Sequence, residues 1–148
     1  MSILVWTVRG LNKKERRRDV QDHVYTLSPS IIGLVETKLK ACKATDLLEF
    51  SHLTGVNVHD CDVKDKGRIW IGWDTSIWNC NIISSTLQTN TLQAVNTGGL
   101  DIVISIVYVA NSATQRELLW QDLRVINQTY GQKPWTILGD FNTARYMD

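Results

Sequence analysis

The chain has 148 residues, 43% hydrophobic and 21% charged, with a formal net charge of +1. That length suits one domain able to bury roughly 68–70% of the surface its unfolded chain exposes. The near-neutral balance excludes a partner held by global charge, and no apolar run approaches membrane-spanning length.

Residues 3–8, ILVWTV, form a short apolar run rich in β-branched and aromatic types, closed by Arg9-Gly10, and read as a buried strand. From about Lys13 to Leu27 the period becomes helical, with Val20, Val24 and Leu27 on one face. The start of this segment is strongly basic: Arg9, Lys13, Lys14, Arg16, Arg17 and Arg18 stand against a single Glu15. Such a run is either the solvated end of a helix or a surface for phosphates. Pro29 ends the helix, and Ile31 to Val35 is a second strand that delivers Glu36. Strand, helix and strand within so short a span make a βαβ unit with its two strands parallel.

Ala44 to Phe50 reads as a short helix, and the polar stretch Asn57 to Lys66 as loop or edge strand. A run of strands follows: GRIWIGWD (67–74), Trp78 to Ser84, and Thr91 to Thr97. Gly98-Gly99 is a hairpin turn, and Leu100 to Tyr108 is the return strand. Its centre, DIVISIVY, is apolar enough to be buried on both faces. Ser112 and Gln115 have the spacing of a capping box at the start of a second helix, whose apolar face is Leu119, Leu123 and Ile126. Gly131 and Pro134 break it, and Trp135 to Leu138 is the last strand.

Three cysteines, Cys42, Cys61 and Cys80, cannot close into a full disulfide set and have no zinc-site spacing. They read as reduced thiols of an intracellular protein, nuclear or cytoplasmic, with Cys80 in the core. Ile3 to Trp6 is too short for a signal-peptide core, and no membrane partner is expected.

Polar clusters sit at the ends of four apolar strands: Thr7 and Arg9; Glu36-Thr37-Lys38; Tyr108 and Asn111; Asp140 and Asn142. Carboxyl ends of strands are where open α/β sheets place ligands. Each cluster is also what an ordinary turn contains, and spacing alone does not decide between the two.

The segments WTVRGLN (6–12), PSIIGLVETK (29–38), GRIWIGWD (67–74), VYVAN (107–111), RELLW (116–120) and PWTILGDFN (134–142) cover nearly the whole chain. Together they resemble the endonuclease/exonuclease/phosphatase superfamily, and within it the endonuclease domain of LINE-type (non-LTR) retrotransposons. ETK and GDFN in combination are specific; either alone is weak. The resemblance implies an α/β (α+β) fold, a four-layer α/β/β/α sandwich, and a nuclease that hydrolyses DNA phosphodiesters with Mg²⁺ or Mn²⁺.

Carried over residue by residue, Glu36 matches the metal-binding glutamate and Asp140 the aspartate that orients or deprotonates the attacking water. Asn142 matches the amide beside them and Tyr108 the tyrosine on the phosphate. Asn111 matches a contact to the nucleic-acid backbone, and Arg9 is a further substrate-binding candidate.

The pattern departs from the family in two places. Thr7 stands where the family has an asparagine that supports the metal site, and one hydroxyl cannot replace both donor and acceptor of an amide. The Ser-Asp-His element that follows GDFN in the family is also missing, and the only histidines are His23, His52 and His59. Asp22-His23 lies on the first helix and reads as helix surface.

Residues 1–148 are therefore expected to be a single truncated domain that lacks the C-terminal part, weakly active or inactive alone. It would supply about one sheet and part of a second, exposing an apolar sheet face open to self-association. The alternative is a non-catalytic retroelement remnant with at most weak nucleic-acid binding. A phosphatase of the same superfamily is a third reading, disfavoured by the LINE-like wording alone.

Overall fold

The computed structural model describes residues 2–39, 50, 52–58 and 67–143. Among these, the elements in chain order are β1 (Ile3–Thr7), α1 (Lys14–Leu27), β2 (Ile31–Leu39), β3 (Gly55–Val58), β4 (Gly67–Trp73), β5 (Trp78–Ser85), β6 (Thr89–Asn96), β7 (Asp101–Tyr108), α2 (Ala113–Tyr130) and β8 (Trp135–Asp140). They form two four-stranded sheets, ordered β1-β2-β4-β3 and β5-β6-β7-β8. β1 is parallel to β2 and β7 to β8, while the other pairs are antiparallel.

Alternation along the strands builds the layers. On β2, Ile32 and Leu34 turn outward and meet Val20 and Val24 of α1, together with Val8, Leu11 and Trp70. Ile31 and Val35 turn inward and pack with Ile69, Ile71, Trp78, Leu92, Ile104 and Ile106 in the core between the sheets. Burial stabilises by roughly 1.5–3 kcal/mol for each large side chain of this kind. On the far side, Leu119, Leu123 and Ile126 of α2 cover Val103, Val107 and Val109. Helix, sheet, sheet, helix is the four-layer arrangement expected from the sequence.

One expectation is corrected, the capping box. The second sheet has four strands, and α1, α2 and the sheet-to-sheet core pack against the sheet faces. On the outer face of the second sheet Ile83, Trp135 and Ile137 are only partly buried; Ile82 of β5 is 40% exposed. On one flank β1 lies over β8, and β1 is only partly buried along its length. The capping box is not formed. Ser112 is the N-cap of α2 but makes no cap hydrogen bond with its side chain. Gln88, buried in the β5–β6 turn, reaches across instead. Its Oε1 accepts from Ala110 N at 2.9 Å, and its Nε2 donates to Gln115 O at 2.7 Å.

Smaller differences concern boundaries. β6 begins at Thr89 rather than Thr91, and β2 continues past Val35 to Leu39. Gly55–Val58 is a strand on the far edge of its sheet, where Asn57 Nδ2 donates to Asn90 Oδ1 of the opposite sheet at 2.9 Å. The short helix over Ala44 to Phe50, most of Asn57 to Lys66, Cys42, Cys61 and His59 lie outside the described residues, apart from Phe50, Asn57 and Val58. No described helix is long and apolar enough to cross a membrane.

Cys80 packs against the inter-sheet core, and burial pushes its thiol up to about 12. An acid whose folded-state pKa is raised keeps its stabilising contribution while protonated. That contribution is lost as pH climbs from the ordinary thiol range toward 12. In a Cys42→Ser/Cys61→Ser background, Cys80 is expected to react with iodoacetamide at pH 8 about 100-fold more slowly in the folded protein than in urea. Equal rates would show that the thiol is accessible.

Candidate active site

The parallel pairing of β1 with β2 does not stop at Thr7, which lies beside Val35. Val8 N donates to Val35 O at 3.0 Å, Gly10 N to Glu36 O at 2.7 Å and Leu11 N to Thr37 O at 2.8 Å. The loop after β1 therefore runs alongside the ETK segment, setting Thr7 and Arg9 next to Glu36. Two of the six basic residues hold this loop in place. Arg16 donates to Val8 O at 3.2 Å, and Arg17 donates to Leu11 O and Asn12 O, each at 2.8 Å. Arg9, Lys13, Lys14 and Arg18 remain exposed.

On β2 the ladder to β4 is interrupted after Val35 and resumes at Leu39. Val35 pairs with Ile69 and Leu39 with Gly67, so four steps on β2 match two on β4. The surplus is taken up by left-handed backbone at Glu36 (φ 59°) and Lys38 (φ 56°), with Thr37 buried between them. The result brings Lys38 Nζ to 3.3 Å from Glu36 Oε1.

The second half of the site is built the same way. Tyr108 and Asp140 are partners at the ends of the parallel strands β7 and β8. Val109 N then donates to Asp140 O at 2.9 Å. Asn142 N donates to Asp140 Oδ1 at 2.9 Å, and Asn142 Nδ2 donates to Val109 O. GDFN is thus a knot in which Asn142 fixes the Asp140 carboxylate and ties the end of β8 to the end of β7. Tyr108 packs partly against the inter-sheet core, while Asn111 is exposed on the next loop, the one that Gln88 clamps at Ala110.

Contacts between the sheets show that both halves open on the same side. Trp78 Nε1 donates to Ser30 Oγ at 3.1 Å, joining the start of β2 to Trp78, whose partner Asn96 caps the turn leading into β7. Further along, Gly33 faces Ile106, whose side-chain atoms would lie 3.0 Å from an added Cβ. Moving forward on β2 is therefore moving forward on β7, and the carboxyl ends of β1, β2, β7 and β8 emerge along one rim. Thr7, Arg9, Glu36, Tyr108, Asp140 and Asn142 all belong to it.

Backbone strain gathers at the same rim. Left-handed conformations are uncommon outside glycine, yet four of the five described cases, Arg9, Glu36, Lys38 and Asn142, are here; the fifth, Ser28, ends α1. Strain of this kind collects where function over-determines the backbone. The described histidines are elsewhere. His23 stacks edge-on against Trp6 at 5.0 Å, and His52 Nε2 lies 3.0 Å from Pro29 O near the start of β2, opposite the rim.

Glu36 and Asp140 offer hard carboxylate oxygens, and among the described residues no three His, Cys, Asp or Glu side chains are grouped so that they could hold a metal ion. That chemistry fits a cation such as Mg²⁺ or Mn²⁺, which takes one or two carboxylates and completes its shell with water and phosphate. It does not fit a closed zinc site.

No protein-family model matches the chain, and no curated protein matches it. Solved structures do. The endonuclease domain of TRAS1, a telomere-specific non-LTR retrotransposon, matches with a TM-score of 0.73 at 12% identity, over 96% of this chain and 60% of that one. The chain has the endonuclease/exonuclease/phosphatase fold. A humanized D. rerio TDP2 shares the fold at TM-score 0.68 and 19% identity, over 98% of this chain and 63% of that one. The AP endonuclease LMAP from Leishmania major does so at 0.65 and 17%, over 97% and 57%. The chain spans between 57% and 63% of the length of these three endonuclease/exonuclease/phosphatase-fold relatives.

Two parts of the site were not visible in the sequence. Gln88 sits in a polar turn and carries no sign that it will clamp the loop holding Asn111. The ETK bulge hides because neither Glu36 nor Lys38 is glycine, the usual marker of a left-handed residue.

Proposed function

We propose that this rim is a phosphodiesterase site for the DNA backbone, of retrotransposon-endonuclease type. What supports the reading is that β2 and β7 run forward together, with Glu36 at the bulge of one sheet, Asp140 at the end of β8 in the other, and left-handed backbone at Glu36, Lys38 and Asn142. Glu36 would hold a divalent ion, which when bound offsets the charge that develops on the phosphate. Asp140, held through Oδ1 by the Asn142 N–H, takes the proton of the attacking water. Tyr108 and Asn111 stand at the phosphate, and Arg9 with the exposed Lys13, Lys14 and Arg18 meets the flanking backbone.

A second reading, binding without turnover, is favoured by Thr7 in place of an amide and by the lack of an imidazole at the rim among the described residues. Supercoiled plasmid separates the two. Under the first reading Mg²⁺-dependent nicking occurs and Glu36→Gln removes it. Under the second, no nicking occurs, while DNA binding survives Glu36→Gln and falls steeply with salt as counterions are released.

A further inference from the structure

We propose that Lys38 is a built-in counter-ion which occupies the Glu36 carboxylate when no divalent cation is bound, so that the cation must compete with it. This rests on the site reading above. Lys38 Nζ stands 3.3 Å from Glu36 Oε1, with the side chains 52% and 22% exposed. Its aliphatic stem lies over Gly10, where an added Cβ would be 3.3 Å from Lys38 Cδ. Gly10, at φ 92°, thus leaves both the backbone freedom and the space that the stem occupies.

The pair is held by two left-handed non-glycine residues in a bulge that breaks the β2–β4 ladder. A half-exposed ion pair contributes little to stability. It does not repay that backbone strain, so stability is not what the arrangement serves. What it does is keep a carboxylate neutralised and oriented in a structure that leaves it reachable from solvent. The cation site is weakened by the competition but is preformed.

The test is Mn²⁺ binding by calorimetry and electron paramagnetic resonance, with fold checked by circular dichroism. Lys38→Met keeps the stem and removes the charge, and Lys38→Gln is the second variant should Met perturb packing. Both are expected to bind Mn²⁺ about three- to fivefold more tightly than wild type. Arg124→Met, an equal loss of charge on α2, leaves the affinity unchanged. Unchanged or weaker binding in the Lys38 variants, with wild-type binding still dependent on Glu36, overturns the counter-ion role and leaves the site reading standing. Absence of any uptake that Glu36→Gln abolishes, in wild type and Lys38 variants alike, overturns both.

Discussion

Asp140→Asn is expected to lower Mg²⁺-dependent plasmid nicking by about 10²–10⁴-fold, the usual contribution of a positioned general base. The amide is chosen because the local structure needs only an acceptor at this position. Asp140 Oδ1 receives the Asn142 N–H, and the Asp140 backbone oxygen receives Val109 N. An asparagine carbonyl satisfies the first bond, and the second does not involve the side chain. The melting temperature should therefore stay close to wild type while the rate falls. A variant that nicks at the wild-type rate would remove Asp140 from the chemistry.

Gly139→Ala, one residue earlier, should have the opposite profile: a loss of roughly 3–5 kcal/mol in stability, from backbone strain and forced packing together. At this position φ is 145°, and an added Cβ would stand 2.0 Å from Val107 O, 2.8 Å from its N and 2.9 Å from its C. All three are backbone atoms inside the β7–β8 pairing, where Val107 is the partner of Gly139, so no side chain can swing aside. For a domain of this size the loss corresponds to a fall of roughly 10 °C in melting temperature. Gly99→Ala provides the contrast. It too has positive φ, 87°, but nothing lies within 4 Å, and a cost of about 1 kcal/mol is expected. Thermal melts of the two variants decide it, and equal melting temperatures would show that β8 can shift away from β7.

How much of this could be read beforehand depends on what kind of signal each feature leaves. β1, α1, β2, β7, α2 and β8 all announce themselves through apolar period, because each buries one face or both in a defined layer. The polar strand ends were legible as residues following those runs, with ETK and GDFN as their markers. β3 was legible only at its end, where Asn57 and Val58 fall in the stretch read as loop or edge strand, because Gly55–Val58 is four residues long and its contact with the other sheet is an asparagine pair. The capping box failed for a different reason. Ser112 and Gln115 have the right spacing, but Gln88 from a distant turn claims the start of α2. Long-range polar contacts leave no periodic trace.

The flank where β1 overlies β8 has a bearing on the chemistry at its corner. Both strands are only partly covered, and Thr7 and Asp140 are the last residues of each. Asp140 is itself only partly buried, and at physiological ionic strength exposed charges more than about 8 Å apart are largely screened from one another. Attraction and repulsion at this corner are accordingly damped, as they would not be in a sealed pocket. Whatever lay along those two edges would shut out water and so strengthen the charge interactions at the corner, without touching the carboxylate.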